Sequence, residues 1–198
     1  MSIMQHILIG TLLTLANVGA ILYVILQYVP RKMRTFSERL ERWHDIENAC
    51  NALITDSTVQ RALVLRLTNG GGEPLPGRTY YATVVVSAVD ETRKRHATDY
   101  NKLEVDETYI SMIIRLRHEK RLQILTSALP VGSLLKSLYD SEGVKFSEVH
   151  YLESTLDATY YISFATYDET HLQPSWGAIM KCVSDVRGLL RRAYPGAK

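Results

Sequence analysis

The chain has 198 residues, 46% of them hydrophobic, and its 23 Lys and Arg side chains against 21 Asp and Glu leave a formal net charge of +2. That length suits one compact domain with a modest core, not two. Because the small net charge comes with no clustered basic face, no nucleic-acid partner is predicted. The two cysteines, Cys50 and Cys182, form no C-x-x-C pair, so neither a metal site nor a cofactor is predicted. Two buried thiols are favoured over a disulfide between them.

The first 30 residues contain no Asp, Glu, Lys or Arg, and 13 of the 23 residues from 7 to 29 are Ile, Leu or Val. As a helix this run is about 34 Å long, enough to cross a hydrocarbon core of about 30 Å. The pattern predicts that residues 1–30 form a transmembrane anchor, with Tyr28 at the lipid interface. A cleaved signal peptide is the alternative, but no Lys or Arg precedes the apolar run.

Three cations, Arg31, Lys32 and Arg34, follow the apolar run directly. Under the positive-inside bias they predict a single-pass protein of the inner (cell) membrane, in contact with lipid, whose C-terminal domain is cytoplasmic. Small residues and the polar Asn17 within the apolar run favour association of membrane helices, so a homo-oligomer is predicted. Ordinary glycine usage in membrane helices explains the same residues equally well.

Residues 31–57 carry the pattern of a juxtamembrane amphipathic helix. Thr35 and Glu38 have the spacing of a capping box. Such a helix either docks on the following domain or pairs with its twin as a stalk, and docking is favoured because the pattern is shorter than three heptads. The apolar residues at helical spacing are Phe36, Leu40, Trp43, Ile46, Cys50 and Leu53.

Residues 58–198 alternate between strand-like and helix-like patterns. Asp106, Ser133 and Ser175 are expected to begin helices, and Gly143 is expected to end the second of these. Strands in hairpins with interspersed helices predict an α+β domain whose roughly five-stranded, mainly antiparallel sheet is flanked by helices. The expected strands are residues 61–68, 79–89, 121–129, 145–153 and 158–167.

The glycine run after the first strand could in principle hold a phosphate. A Walker loop needs Lys and Ser or Thr after its last glycine, whereas Gly72 is followed by Glu73 and Pro74. A dinucleotide fingerprint must open a helix, which the nearby prolines and the following strand disfavour. The run is therefore a turn between strands, either a plain connection or a loop that rims a pocket or contacts a partner.

No catalytic residue is predicted. The six histidines are scattered, and neither a Gly-x-Ser-x-Gly elbow nor a Cys–His couple is present. His150 shares one strand face with Glu148, and this is interpreted as a surface pair. Tyrosines on the strands either pack in the core or line an amphipathic pocket. The sequence thus favours a protein that is not an enzyme.

Four stretches share a pattern with one protein family: Leu67-Thr68-Asn69-Gly70-Gly71-Gly72; Tyr80, Tyr81, Val84 and Val86; Leu103-Glu104-Val105-Asp106; and Glu142-Gly143-Val144. In these stretches the chain resembles GAF-type sensor domains, in outline over residues 37–192. Thr68 stands where a GAF-like subgroup has His, so no role of that imidazole carries over. The resemblance implies a GAF-like fold that binds a small-molecule ligand or a protein partner. The candidate binding residues are Asn69, Gly70, Gly71, Gly72, Tyr80 and Tyr81.

A second resemblance is to the large holins of T-even-type phages, which have one membrane helix, a soluble α+β domain and a basic tail. Here the tail carries Arg187, Arg191 and Arg192. Those holins have a longer, charged N-terminal region and export the large domain, unlike the topology predicted here. The predicted function is a membrane-anchored, non-enzymatic GAF-like binding or interaction protein. The alternative is a holin-type lysis protein that oligomerises in the inner membrane.

Overall fold

The computed structural model describes residues 17–18, 37–38, 40–69, 79–90, 100–155, 158–167 and 175–193. The chain divides into two compact units, Met1–Glu41 and Arg42–Lys198.

In the first unit the described residues are helical. Most of the predicted membrane anchor lies outside the described residues, as do the expected interface residues Tyr28, Arg31, Lys32 and Arg34. Within the part of the chain that is described, no helix combines the length and the apolar character needed to cross a bilayer.

The second unit begins within helix α1, which comprises residues 40–56. Among the described residues, six strands and three further helices follow, together with a 3-10 turn at Thr126–Ala128. The strands are β1 (Arg61–Thr68), β2 (Tyr81–Val89), β3 (Leu103–Glu104), β4 (Arg121–Leu125), β5 (Phe146–Ser154) and β6 (Thr159–Thr166). The helices are α2 (Glu107–Glu119), α3 (Leu134–Glu142) and α4 (Trp176–Ala193).

The strands form one sheet in the order β3-β2-β1-β6-β5-β4, and each neighbouring pair is antiparallel. The predicted α+β class with an antiparallel sheet is confirmed. The expected strand count was wrong, because β3 adds a sixth strand that pairs Leu103 and Glu104 with β2. Two residues are too few to show the alternation that marks a strand. The expected third strand was also too long, since the 3-10 turn follows Leu125.

The helix caps predicted at Asp106, Ser133 and Gly143 are present. The Asp106 carboxylate accepts a hydrogen bond from the Tyr109 backbone N–H at 2.7 Å, at the start of α2. Its second oxygen accepts from the Leu134 N–H at 2.8 Å, at the start of α3. One side chain therefore caps two helices and holds their N-termini together. Ser133 caps α3, and Gly143 ends it in the left-handed conformation with φ 74°.

Helices pack on both sides of the sheet, and each side has its own core. On one side, α1 and α4 cover a cluster that includes Ile46, Val64, Phe164 and Val183. Cys50 and Cys182 are buried in this cluster as free thiols, as predicted. On the other side, α2 and α3 cover a second cluster. We call these the α1/α4 side and the α2/α3 side.

Strand β5 contains a bulge between Tyr151 and Glu153. The Arg187 guanidinium of α4 donates to the backbone carbonyls of Leu152, at 3.2 Å, and Tyr151, at 2.7 Å. Arg191, one turn later, donates to the Glu153 carboxylate at 2.6 Å. Because bulges leave carbonyls outside the ladder, Arg187 supplies the donors that the irregular strand needs.

Candidate functional site

A cavity of about 20 Å³ lies on the α2/α3 side, between the central strands and the two helices. This volume suits one water molecule. Strand alternation places every second residue of β1 on this side, so Arg61 faces inward with Leu63 and Leu65. The cavity combines apolar walls with a small group of polar side chains, the usual composition of a ligand site.

A buried ion pair lies beside the cavity. The Arg61 guanidinium donates to the Glu142 carboxylate, and both residues are only 3% exposed. The Tyr100 hydroxyl donates to the other oxygen of the same carboxylate, and the guanidinium lies 6.0 Å from the centre of the Tyr139 ring. Burying two charges is tolerated when they are paired and further hydrogen-bonded, and both conditions are met here.

Four further hydroxyl groups of the cavity lining or its surroundings form two hydrogen-bonded pairs. The Tyr109 and Tyr161 hydroxyls are 2.6 Å apart, and the Tyr139 hydroxyl is 2.7 Å from Ser147 Oγ. Burial raises the pKa values of Tyr109 and Tyr161 above the ordinary value of 10. Both phenols are therefore neutral at physiological pH and act as hydrogen-bonding groups rather than as bases.

Two polar atoms in the cavity lining have no hydrogen-bond partner among the described residues: Arg61 Nε and Ser163 Oγ. Both residues are buried, at 3% and 6% exposure. Buried polar atoms in native proteins nearly always have a partner, so two such atoms at one cavity require an explanation.

A larger groove of about 380 Å³ opens between α2, β4 and the segment after β4. Tyr109, Met112 and Leu135 line both the groove and the cavity. These three shared side chains therefore separate the cavity from the groove. Met112 is unbranched and flexible, so it can change rotamer at little cost.

Comparison with known proteins identifies the architecture. Neither the known protein families nor the curated proteins contain a match to this sequence. Among solved structures, the chain is similar to a phycoerythrobilin-bound GAF domain from a cyanobacterial phytochrome, with a TM-score of 0.55 at 14% identity, over 83% of this chain and 93% of the other. The fold is GAF-like.

Two further solved structures agree with the GAF-like fold. A GAF domain/HD domain protein from Geobacter sulfurreducens matches with a TM-score of 0.54 at 10% identity, over 79% of this chain and 96% of the other. A type II free methionine-R-sulfoxide reductase from Thermoplasma acidophilum matches with a TM-score of 0.51 at 8% identity, over 78% and 96%. Identities this low establish the fold and leave the function to the site.

Of the binding residues predicted from sequence, those that the structure describes do not line this cavity. Asn69 is buried at the end of β1, and Tyr80 and Tyr81 are half-buried at the start of β2. None of these three lines the cavity or the groove. Gly70, Gly71 and Gly72 lie outside the described residues. A contact between this loop and a ligand or partner stays a prediction.

Sequence reasoning missed Arg61 and Glu142, the two charged residues beside the cavity, although both patterns contain a signal. Arg61 lies on the same face of β1 as Leu63 and Leu65, which point inward. Glu142 lies seven residues after Leu135 and three after Tyr139, so it continues the apolar stripe of α3. A residue of opposite charge on the apolar face of each element, Arg61 on β1 and Glu142 on α3, was the signal that indicated a buried ion pair.

The interpretation of Glu148 and His150 as a surface pair was wrong. They are 1% and 3% exposed, and their side chains are 2.6 Å apart on the α1/α4 side. Arg121 donates to the same carboxylate at 2.7 Å and lies 4.0 Å from the centre of the Trp176 ring. That ring lies 6.1 Å from the His150 ring. Burial acts to raise the pKa of Glu148, but hydrogen bonds from His150, Arg121 and Gln123 outweigh it and hold that pKa below 4.5.

Proposed function

We propose that this GAF-like domain is a small-molecule binding module. Its ligand lies in the groove between α2 and β4 and passes Tyr109 and Met112 to reach the cavity on the α2/α3 side. The observation that carries the proposal is the pair of unpartnered buried atoms, Arg61 Nε and Ser163 Oγ, in the lining of that cavity.

The volumes support this placement of the ligand. Small-molecule sites commonly enclose about 300–1,000 Å³. The groove, at about 380 Å³, falls within this range, whereas the cavity, at about 20 Å³, is far too small. The body of the ligand therefore occupies the groove, and its polar end displaces the Met112 side chain to enter the core. Two of the similar solved structures are GAF domains with bound bilins, which supports small-molecule binding by the fold.

Binding rather than catalysis fits the chemistry of the site. The GAF-like fold itself does not exclude an enzyme, since a methionine-R-sulfoxide reductase shares it. Thiol chemistry at the cavity has little support, because Cys50 and Cys182 are buried on the opposite side of the sheet. The Glu142 carboxylate is already paired with Arg61 and Tyr100, which disfavours a role as a general base.

The methionines provide a direct test of the proposed site. Met112 lines the groove and the cavity, whereas Met180 is exposed on α4, on the other side of the sheet. In a small-molecule screen of the full-length chain with methyl-labelled methionine, we expect binders to shift the Met112 resonance and leave Met180 unchanged. A screen in which no compound shifts Met112, or in which both methyl groups always respond alike, contradicts the proposal.

We further propose that residues 7–29 anchor the protein in the inner membrane as a single pass, that the anchors associate, and that the domain faces the cytoplasm. The uncharged apolar run and the cations Arg31, Lys32 and Arg34 support this topology. A reporter that works only in the cytoplasm should be active when fused after Lys198, and a reporter that works only outside the cytoplasm should be inactive there. An exported C-terminus, with membrane permeabilisation on expression, would favour the holin-type alternative instead.

A further inference from the structure

We propose that the ligand presents an uncharged hydrogen-bond acceptor, such as the carbonyl oxygen of an amide or lactam, to Arg61 Nε and Ser163 Oγ. This inference rests on the binding function proposed above and names the class of ligand. A guanidinium nitrogen can only donate, so the group that faces Arg61 Nε must accept. A serine hydroxyl also donates, and a carbonyl oxygen has two lone pairs, one for each donor.

The strand register places the two donors together. Arg61 pairs with Ala165 across β1 and β6, and Leu63 pairs with Ser163. Arg61 and Ser163 are therefore diagonal neighbours on the same face of the sheet, about 7–8 Å apart at their Cα atoms. Both side chains line the same cavity of about 20 Å³, so one acceptor placed there can meet both groups.

The charge of the site excludes an anionic acceptor. The positive charge of Arg61 is already balanced by Glu142, whose carboxylate also accepts from Tyr100. A ligand carboxylate would leave a net negative charge in a buried site, which is costly. A cationic ligand would face the guanidinium. A neutral carbonyl satisfies both donors and leaves the charge balance unchanged.

The side chains that line the cavity indicate the character of the part of the ligand next to the carbonyl. The Tyr109, Tyr139 and Ser147 hydroxyls already have hydrogen-bond partners, so they do not require a hydrogen bond from the ligand. The remaining lining is apolar or aromatic, and includes Leu63, Leu65, Met112, Leu135, Leu138 and Val149. The part of the ligand next to the carbonyl is therefore apolar, whereas the groove that holds its body is also lined by Thr108, Ser111, Arg115 and Gln123.

Benzamide and benzoate are matched probes, since they share one ring and differ in charge at the acceptor. Each is titrated at neutral pH against the full-length chain in lipid nanodiscs, with the Met112 methyl resonance as the readout. We expect benzamide to bind at least about tenfold more tightly than benzoate. Ser163→Ala should weaken benzamide about three- to tenfold, the usual effect of one lost hydrogen bond. Ser137→Ala, at an exposed position of α3, should leave both affinities unchanged.

The outcomes separate the ligand class from the binding function. Tighter binding of benzoate, or equal benzamide affinity in the wild type and Ser163→Ala, overturns the neutral-acceptor inference while the binding function stands. The same holds if other compounds shift Met112 and benzamide does not. If no compound shifts Met112 at all, both proposals fall. Arg61→Lys, which keeps the charge opposite Glu142 and removes Nε, should weaken benzamide as Ser163→Ala does.

Discussion

Replacing Glu142 with alanine should destabilise the domain strongly. The substitution leaves the Arg61 guanidinium, 3% exposed, without its counter-ion. Breaking a buried pair in this way costs about 3–5 kcal/mol. The Tyr100 hydroxyl also loses this acceptor, which adds about 1 kcal/mol. The total, about 4–6 kcal/mol, is a quarter or more of the free energy of unfolding of a typical domain, which is about 5–15 kcal/mol.

Urea unfolding measures this loss directly. Both tryptophans, Trp43 and Trp176, lie in the folded domain, so their fluorescence reports its unfolding. With a urea dependence of about 2 kcal/mol per molar, the midpoint of Glu142→Ala should fall by roughly 2–3 M. The double variant Arg61→Met with Glu142→Leu should recover most of the loss, because an apolar pair needs no counter-ion.

A matched control comes from the same helix. Lys136 and Asp140 form an exposed pair at 3.0 Å on α3. Asp140→Ala should cost no more than about 0.5 kcal/mol, as is usual for exposed pairs at this spacing. If Glu142→Ala cost no more than this control, Arg61 would have to regain solvent or another partner, and the account of a buried pair would be refuted.

Three other predictions concern the rest of the domain. Hydrogen bonds hold the pKa of Glu148 below its unfolded value of 4.5, so its contribution to stability is complete above pH 4.5 and is lost as the pH falls through the folded pKa. The urea midpoint of Glu148→Gln should therefore depend less on pH in that acidic range, and an unchanged slope would contradict the assignment. The hydrogen bond with Cys182, together with burial, raises the pKa of the Cys50 thiol. A disulfide reagent should therefore label neither cysteine before urea unfolds the domain. Rapid labelling of either cysteine in the native protein would refute this. Gly143→Ala should cost about 1 kcal/mol because its φ is +74°. Gly188→Ala, inside α4, should stabilise the fold by up to about 1 kcal/mol, because the added Cβ meets only the end of the Arg192 side chain, at an ordinary contact distance of 4.0 Å. The same sign of change in both would be inconsistent with these backbone conformations.

Local signals predicted most of the fold. Asp106, Ser133 and Gly143 marked helix ends through chemistry that acts within three or four residues. Alternation of apolar residues marked the long strands, whose cross-strand partners then follow from the hairpins. Strand β3 was missed because Leu103 and Glu104 carry no periodic pattern, and their pairing depends on the position of β2.

The site was less predictable because its contacts are long-range. Arg61 and Glu142 are 81 positions apart, and no local pattern says that one balances the other. The contact of Trp176 with His150, whose rings are 6.1 Å apart, likewise forms only after β6 and α4 are in place. Sequence patterns showed which face each residue occupies. They could not show what covers that face.

The arginine at the β5 bulge limits how α4 can move. Both guanidinium contacts of Arg187 end on carbonyls of adjacent residues, Leu152 and Tyr151. A piston-like slide of α4 by one turn, about 5.4 Å, would leave both carbonyls without this donor. Tilting about Arg187 preserves them. Any motion transmitted through α4 is therefore a tilt about Arg187 at the bulge. In such a tilt Trp176, the end of α4 farther from Arg187, moves the greatest distance.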